Sequence, residues 1–215
     1  MASTFPGAID NFTDPLSGSA LNSPSHSAQH ADLNDAAEKI ETYMGLVKVV
    51  PTGATNGTVG ATGTVTIGSA VSSVTVSGAF SSLYDNYKIL VNSTASTQQS
   101  IGIRLGSSVT DYNGFLIYGD LGAATVVGFR VIGGSLLPYI GGAAAASQAS
   151  TASVEILNPF ATSYTKFNAG AYMDTGSFGQ IHGEHRVATS HTAFTIICAT
   201  GTITGGTIRV YGYRN

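Results

Sequence analysis

From about residue 64 onward the apolar residues recur at every second position, and no stretch of helical period interrupts them. Tyr87, Ile89 and Val91 share one face of an extended segment, as do Ile101, Ile103 and Leu105, and again Val154 and Ile156. Period-two alternation places successive side chains on opposite faces of a strand, so each of these segments is half buried. Strands are expected over 71–76, 87–92, 100–105, 115–118, 125–132, 152–157, 166–172, 191–199 and 207–213. Turns bearing Gly, Asn or Asp, such as DYNG, GDLG, NPF and DTGS, separate them. The run GGAAAASQAS at 141–150 has neither period nor bulk and reads as a loop. Many short strands without intervening helices predict a mainly β chain, an antiparallel β-sandwich of jelly-roll type, as the head over 64–215.

The first 63 residues are organised differently. Residues 1–23, with FPGAID and two of the six prolines, have no period and read as an extended attachment arm. Five charged residues then cluster between Asp32 and Glu41. In the same stretch Leu33, Ala36, Ile40, Tyr43 and Val47 follow the 3-4 spacing of a heptad seam. A helix is therefore expected from about 24 to 45 or 46, capped by Ser23, Ser25 or Ser27 and stopped near Gly45. One reading packs this helix on its own domain. The other, favoured by the narrow stripe, makes it a short bundle between identical chains, with those five residues as the oligomer interface. Residues 47–63 hold the imperfect repeat GATNGT and GATGT and read as a Gly/Thr-rich linker, a threaded β-shaft being the less favoured alternative.

Composition excludes several functions. Only 10% of residues are charged and the net charge is −3, so there is no basic stripe for nucleic acid. No apolar run of about 18 residues exists to cross a membrane as a helix, and the N-terminus lacks the pattern of a secretory signal. The single Cys198, in the apolar run FTIIC, reads as a buried inert thiol made in a reducing cytoplasm.

Residues that could carry chemistry are few. Asp85, Asp111, Asp120, Glu155, Asp174 and Glu184 are scattered and read as turn and surface carboxylates, not a glycosidase pair. His182 and His185 in IHGEH, with Glu184 between and His191 nearby, have the composition of a metal site, yet strand geometry sends 182 and 185 to opposite faces. His26 and His30 are four apart on one helix face, where a trimer would gather three copies of His26. No Ser-His-Asp order or phosphate-binding loop is present. No catalytic residue, metal or cofactor is expected.

The opening FPGAID, the element SPSHSAQH at 23–30 and the following LNDAAEKIE resemble the N-terminal segment of tailed-bacteriophage virion structural proteins, the minor tail and fibre-like proteins. The resemblance covers about the first 45 residues, and the ending TIRVYGYRN is similar to the last strand of the β heads that follow such segments. It implies a homotrimer in the virion that binds other tail or capsid proteins through residues 1–45 and presents a β head outward. The head would decorate the particle or contact host surface polysaccharide. The competing expectation is a carbohydrate-active, depolymerase-like domain.

Overall fold

The computed structural model describes residues 26–43, 45–120, 122, 124–143, 150–173 and 177–214. The attachment arm expected over 1–23 lies outside them. Packing divides the chain into an N-terminal unit and a β unit that runs from Val47 to Tyr213.

The N-terminal unit contains α1, His26–Tyr43. Its middle is rich in good helix formers, and Asp35 and Lys39 form an i,i+4 ion pair at 3.6 Å. Ala36 is buried, whereas Leu33 and Ile40 are 60% and 45% exposed. The helix ends before Gly45, so Val47 cannot belong to its apolar seam. Val47 lies instead in β1, Leu46–Val49, because a β-branched segment LVKV after a glycine favours an extended backbone. The side chain of Tyr43 lies outside the described residues.

The linker expected over 47–63 is also corrected. It is folded into β1, β2 (Gly53–Thr55) and β3 (Gly57–Val59), which precede β4 (Val65–Ile67). The first repeat, GATNGT, is the strand pair β2–β3 joined at Asn56, and the second, GATGT, is the β3–β4 turn. Asn56, between β2 and β3, has a φ of 61°. The β3–β4 turn is closed by Gly60 N–H donating to the Thr64 carbonyl and Gly63 N–H to that of Gly60, both at 2.8 Å. Gly63 has a φ of 76°, and a Cβ there would approach the Val49 carbonyl oxygen to 2.5 Å. Glycine is required by that close approach, not by flexibility.

The remaining strands are β5 (Ser73–Ser77), β6 (Asn86–Ala95), β7 (Gln99–Leu105), β8 (Tyr112–Asp120), β9 (Thr125–Gly134), β10 (Leu137–Ala143), β11 (Ser150–Leu157), β12 (Thr165–Met173), β13 (Ser177–His185), β14 (Phe194–Cys198) and β15 (Ile203–Tyr213). They form two antiparallel sheets. A ten-stranded sheet runs β3-β4-β15-β6-β11-β12-β13-β8-β9, with β1 also paired to β15, and a five-stranded sheet runs β10-β7-β14-β5-β2. This is the expected antiparallel sandwich, broader than the eight strands of a simple jelly roll. The loop expected over 141–150 is shorter, because Gly141–Ala143 end β10 and Ser150 begins β11; residues 144–149 lie outside the described residues.

The faces predicted to be apolar make the core. Tyr87, Ile89, Val91, Val154, Ile156 and Val210 from the large sheet, and Ile101, Ile103, Leu105, Phe194 and Ile196 from the small one, are all essentially inaccessible to solvent. Tyr87 carries its hydroxyl into this core because both of its bonds are made to Ser81: it accepts from the N–H at 2.8 Å and donates to the carbonyl at 2.9 Å.

Candidate interaction surface

The outer face of the large sheet changes character from one side to the other. Over β11, β12 and β13 it is polar. The Tyr213 hydroxyl lies 2.7 Å from Glu155, and Asn168 donates to Glu155 at 3.3 Å. Burial, followed by that bond to Glu155, pushes the Tyr213 phenol up to about 12. Glu184 is clasped by Lys166 and Arg186. Hydrogen bonds from Lys166 and then Arg186 hold its carboxyl below the usual carboxylate range.

Beyond β13 the same face is apolar. The β13–β8 register sets His182 beside Phe115, Gln180 beside Ile117 and Phe178 beside Gly119. The β8–β9 register sets Ile117 beside Gly128 and Gly119 beside Val126. Phe115, Ile117 and Phe178 are each about half exposed. Together with Val126, Tyr118 and His182 they line an open groove of about 550 Å³. The Phe115 ring lies against Gly128, where a Cβ would come within 3.3 Å of its Cζ, so the aromatic ring shields an otherwise bare stretch of backbone.

This apolar region reaches the sheet edge. β9 ends the strand order of the large sheet, and its Val126 and Ile132 are 79% and 72% exposed. Edge strands are usually blunted by lysine, proline or brevity. β9 is ten residues long and its sequence TVVGFRVIGG has Arg130 as its only charge. On its inner side Phe129 meets Tyr139 edge to face at 5.1 Å, which anchors the strand over β10.

The sequence-predicted site residues disperse across the fold. His182 is exposed and His185 buried, as opposite strand faces require. Among the described residues no three His, Cys, Asp or Glu side chains gather as metal ligands. Burial raises the Cys198 thiol to about 11, which leaves it un-ionised and unreactive at neutral pH. Asp120 accepts the Gly122 N–H at 2.7 Å within a turn, and Asp111 is a turn residue with a φ of 62°. Asp174 and the side chain of His26 lie outside the described residues. The groove residues were not anticipated from sequence. The signal was present nonetheless: FLIY at 115–118 and VVGF at 126–129 are apolar without alternation, which marks strands apolar on both faces.

Comparison with family models, curated proteins and solved structures finds no match for this chain.

A contiguous exposed apolar patch of this kind is a candidate contact surface. The double substitution Val126→Lys with Ile132→Lys is expected to lower both dye binding to exposed apolar surface and concentration-dependent light scattering. Neither side chain supports the core, so the unfolding free energy should move by no more than about 0.5 kcal/mol. A large loss of stability would show that β9 is a core strand, not a docking edge.

Proposed function

We propose that this chain is a non-enzymatic structural subunit of a tailed-bacteriophage particle, a homotrimer located in the virion. The observation that carries the reading is the helix α1, whose Leu33 and Ile40 are exposed in one chain at seam positions of a heptad pattern. An isolated helix of this length is marginal in water, so a helix with an uncovered apolar stripe calls for partner helices. The resemblance of residues 1–45 to phage attachment segments supplies the partners: other tail or capsid proteins.

The β head fits a decorating or host-contacting role. Its sequence is low in charge and rich in Ser, Thr and Gly, which suits weak contacts with surface polysaccharide, and three copies would multiply them. Two of its carboxylates are engaged in structure, Glu184 with two cations and Glu155 with Tyr213, which favours a binding role over glycan cleavage.

Deleting residues 1–22 is expected to abolish incorporation into particles while leaving the melting temperature of the head unchanged. Immuno-labelling of assembled particles reads the first quantity and calorimetry the second. Normal incorporation of the shortened chain would overturn the attachment role. Release of reducing sugar from host polysaccharide by the full chain would overturn the non-enzymatic reading.

A further inference from the structure

We propose that His185 and His191 form an acid-sensitive latch that fastens the two sheets together at one end of the sandwich and opens locally when protonated. The inference is independent of the assembly reading. Two chain crossings between the sheets run together at this point. Residues 106–111 pass from β7 of the small sheet to β8 of the large one, and residues 186–193 return from β13 to β14.

His185, the last residue of β13, is wholly buried, and His191 is 6% exposed. Their rings lie 5.2 Å apart, centroid to centroid. Ser108, in the first crossing, has its hydroxyl 2.7 Å from Nε2 of His185. Tyr112, at the start of β8, lays its ring 4.5 Å from that of His185 and accepts the Leu105 N–H at 2.6 Å. The crossings are also tied by backbone bonds: Gly106 N–H to Ala193, Arg186 N–H to Asp111, and His191 N–H to the Pro159 carbonyl, at 2.8, 3.0 and 2.8 Å. Nε2 of His191 is buried and has no hydrogen-bond partner among the described residues.

Burial disfavours a proton on either ring. A second proton would place two like charges in contact inside the protein, with little water to screen them. The titratable and charged groups around the pair do not offset this. Asp111 favours a charge on His185 alone, as does the Thr110 carbonyl; Tyr112 is neutral, with its phenol raised to about 12 mainly by burial. Arg104, whose charge acts on Tyr112, is itself positive, and the Glu184 carboxylate next to His185 in sequence is already taken by Lys166 and Arg186. Burial and then the neighbouring His185 lower the pKa of His191 to about 4, and burial lowers that of His185.

The sign follows from these shifts. The unfolded or opened segment takes up protons as pH falls below the ordinary imidazole value of 6.5, whereas His191 in the closed latch resists until about pH 4. The contribution is complete above 6.5 and is lost as pH falls through that window. Opening is local because the contacts concerned join two crossings and not the sheet interiors.

The test is amide hydrogen exchange on the full chain at pH 7 and pH 4.5, expressed as protection factors, with side-chain NMR titration of the histidines. The Leu105, Gly106, Arg186 and His191 amides are expected to lose about tenfold or more of their protection, while those of Ile89 and Val154 keep theirs. His191→Phe should lessen the pH dependence at the crossings, since only the buried His185 then remains to titrate. Unchanged protection there, or loss in step with Ile89 and Val154, would overturn the latch. Should His191→Phe fail to fold, the wild-type titration decides: depressed values for both imidazoles support the latch, and titration of either near 6.5 overturns it.

Discussion

Replacing Leu33 and Ile40 together with aspartate is expected to convert the full chain from an assembly of about three masses to a monomer, read by light scattering at micromolar concentration. The effect is large because the two residues act at the same place. In the proposed trimer each would bury an aliphatic side chain worth roughly 1.5–3 kcal/mol, and each chain would contribute both. Aspartate removes that gain and adds carboxylates that would face one another near the bundle axis. The β signal in circular dichroism should persist, because the core lies wholly within the unit from Val47 to Tyr213. The helical signal should fall, since α1 has only 18 residues and little support once separated. A wild-type chain that is monomeric at every concentration would sink the trimer, and a double variant of unchanged mass would remove these residues from its interface.

The strands were legible where one face met the core and the other met water. Tyr87–Ile89–Val91 and Ile101–Ile103–Leu105 alternate cleanly, and both sets are fully buried. β13 was not legible, because SFGQIHGEH carries Ile181 as its one aliphatic residue and sets the rest of its inner face with Ser177 and His185. Short strands made of Gly and Thr, such as β2 and β3, carry no hydrophobic period at all. They are held by hydrogen bonds to β5 and β4, and pairing partners distant in sequence leave no local mark. The helix was placed to within two or three residues by its spacing and Gly45. Its seam was extended one turn too far to Val47, since heptad spacing continues through a sequence whether or not the backbone does.

The contact surface was hidden for a related reason. An apolar strand looks the same in sequence whether a second sheet or an external partner covers its other face. In the sequence His185 stands out only by its strand parity with His182, and His191 only as a neighbour of that motif. What brings His185 and His191 together is a crossing between sheets, which periodicity cannot describe.

Gly206→Ala is expected to be strongly damaging to the head. Gly206 has a φ of 133°, a region that residues with a Cβ rarely enter. It lies where β15 pairs with β6, opposite Ser93 and just after an irregularity between Ile203 and Gly205. A Cβ at this position would collide with the Asn92 carbonyl oxygen and come within 2.7 Å of Ser93 Cα. These are backbone atoms of β6, a strand paired on both sides by β15 and β11, so no flexible side chain can move aside. Backbone strain and overpacking together should cost about 3–5 kcal/mol. For a β unit of this size that corresponds to a fall in melting temperature of roughly 10 °C. The adjacent Gly205→Ala is the control, because its Cβ would meet only Thr94 Oγ1, at 3.9 Å. That variant should stay within about 1 kcal/mol of the parent in urea unfolding, the scale of strand propensity alone. Equal losses at both positions would show that general strand preference governs this bend, and not the backbone approach of β15 to β6.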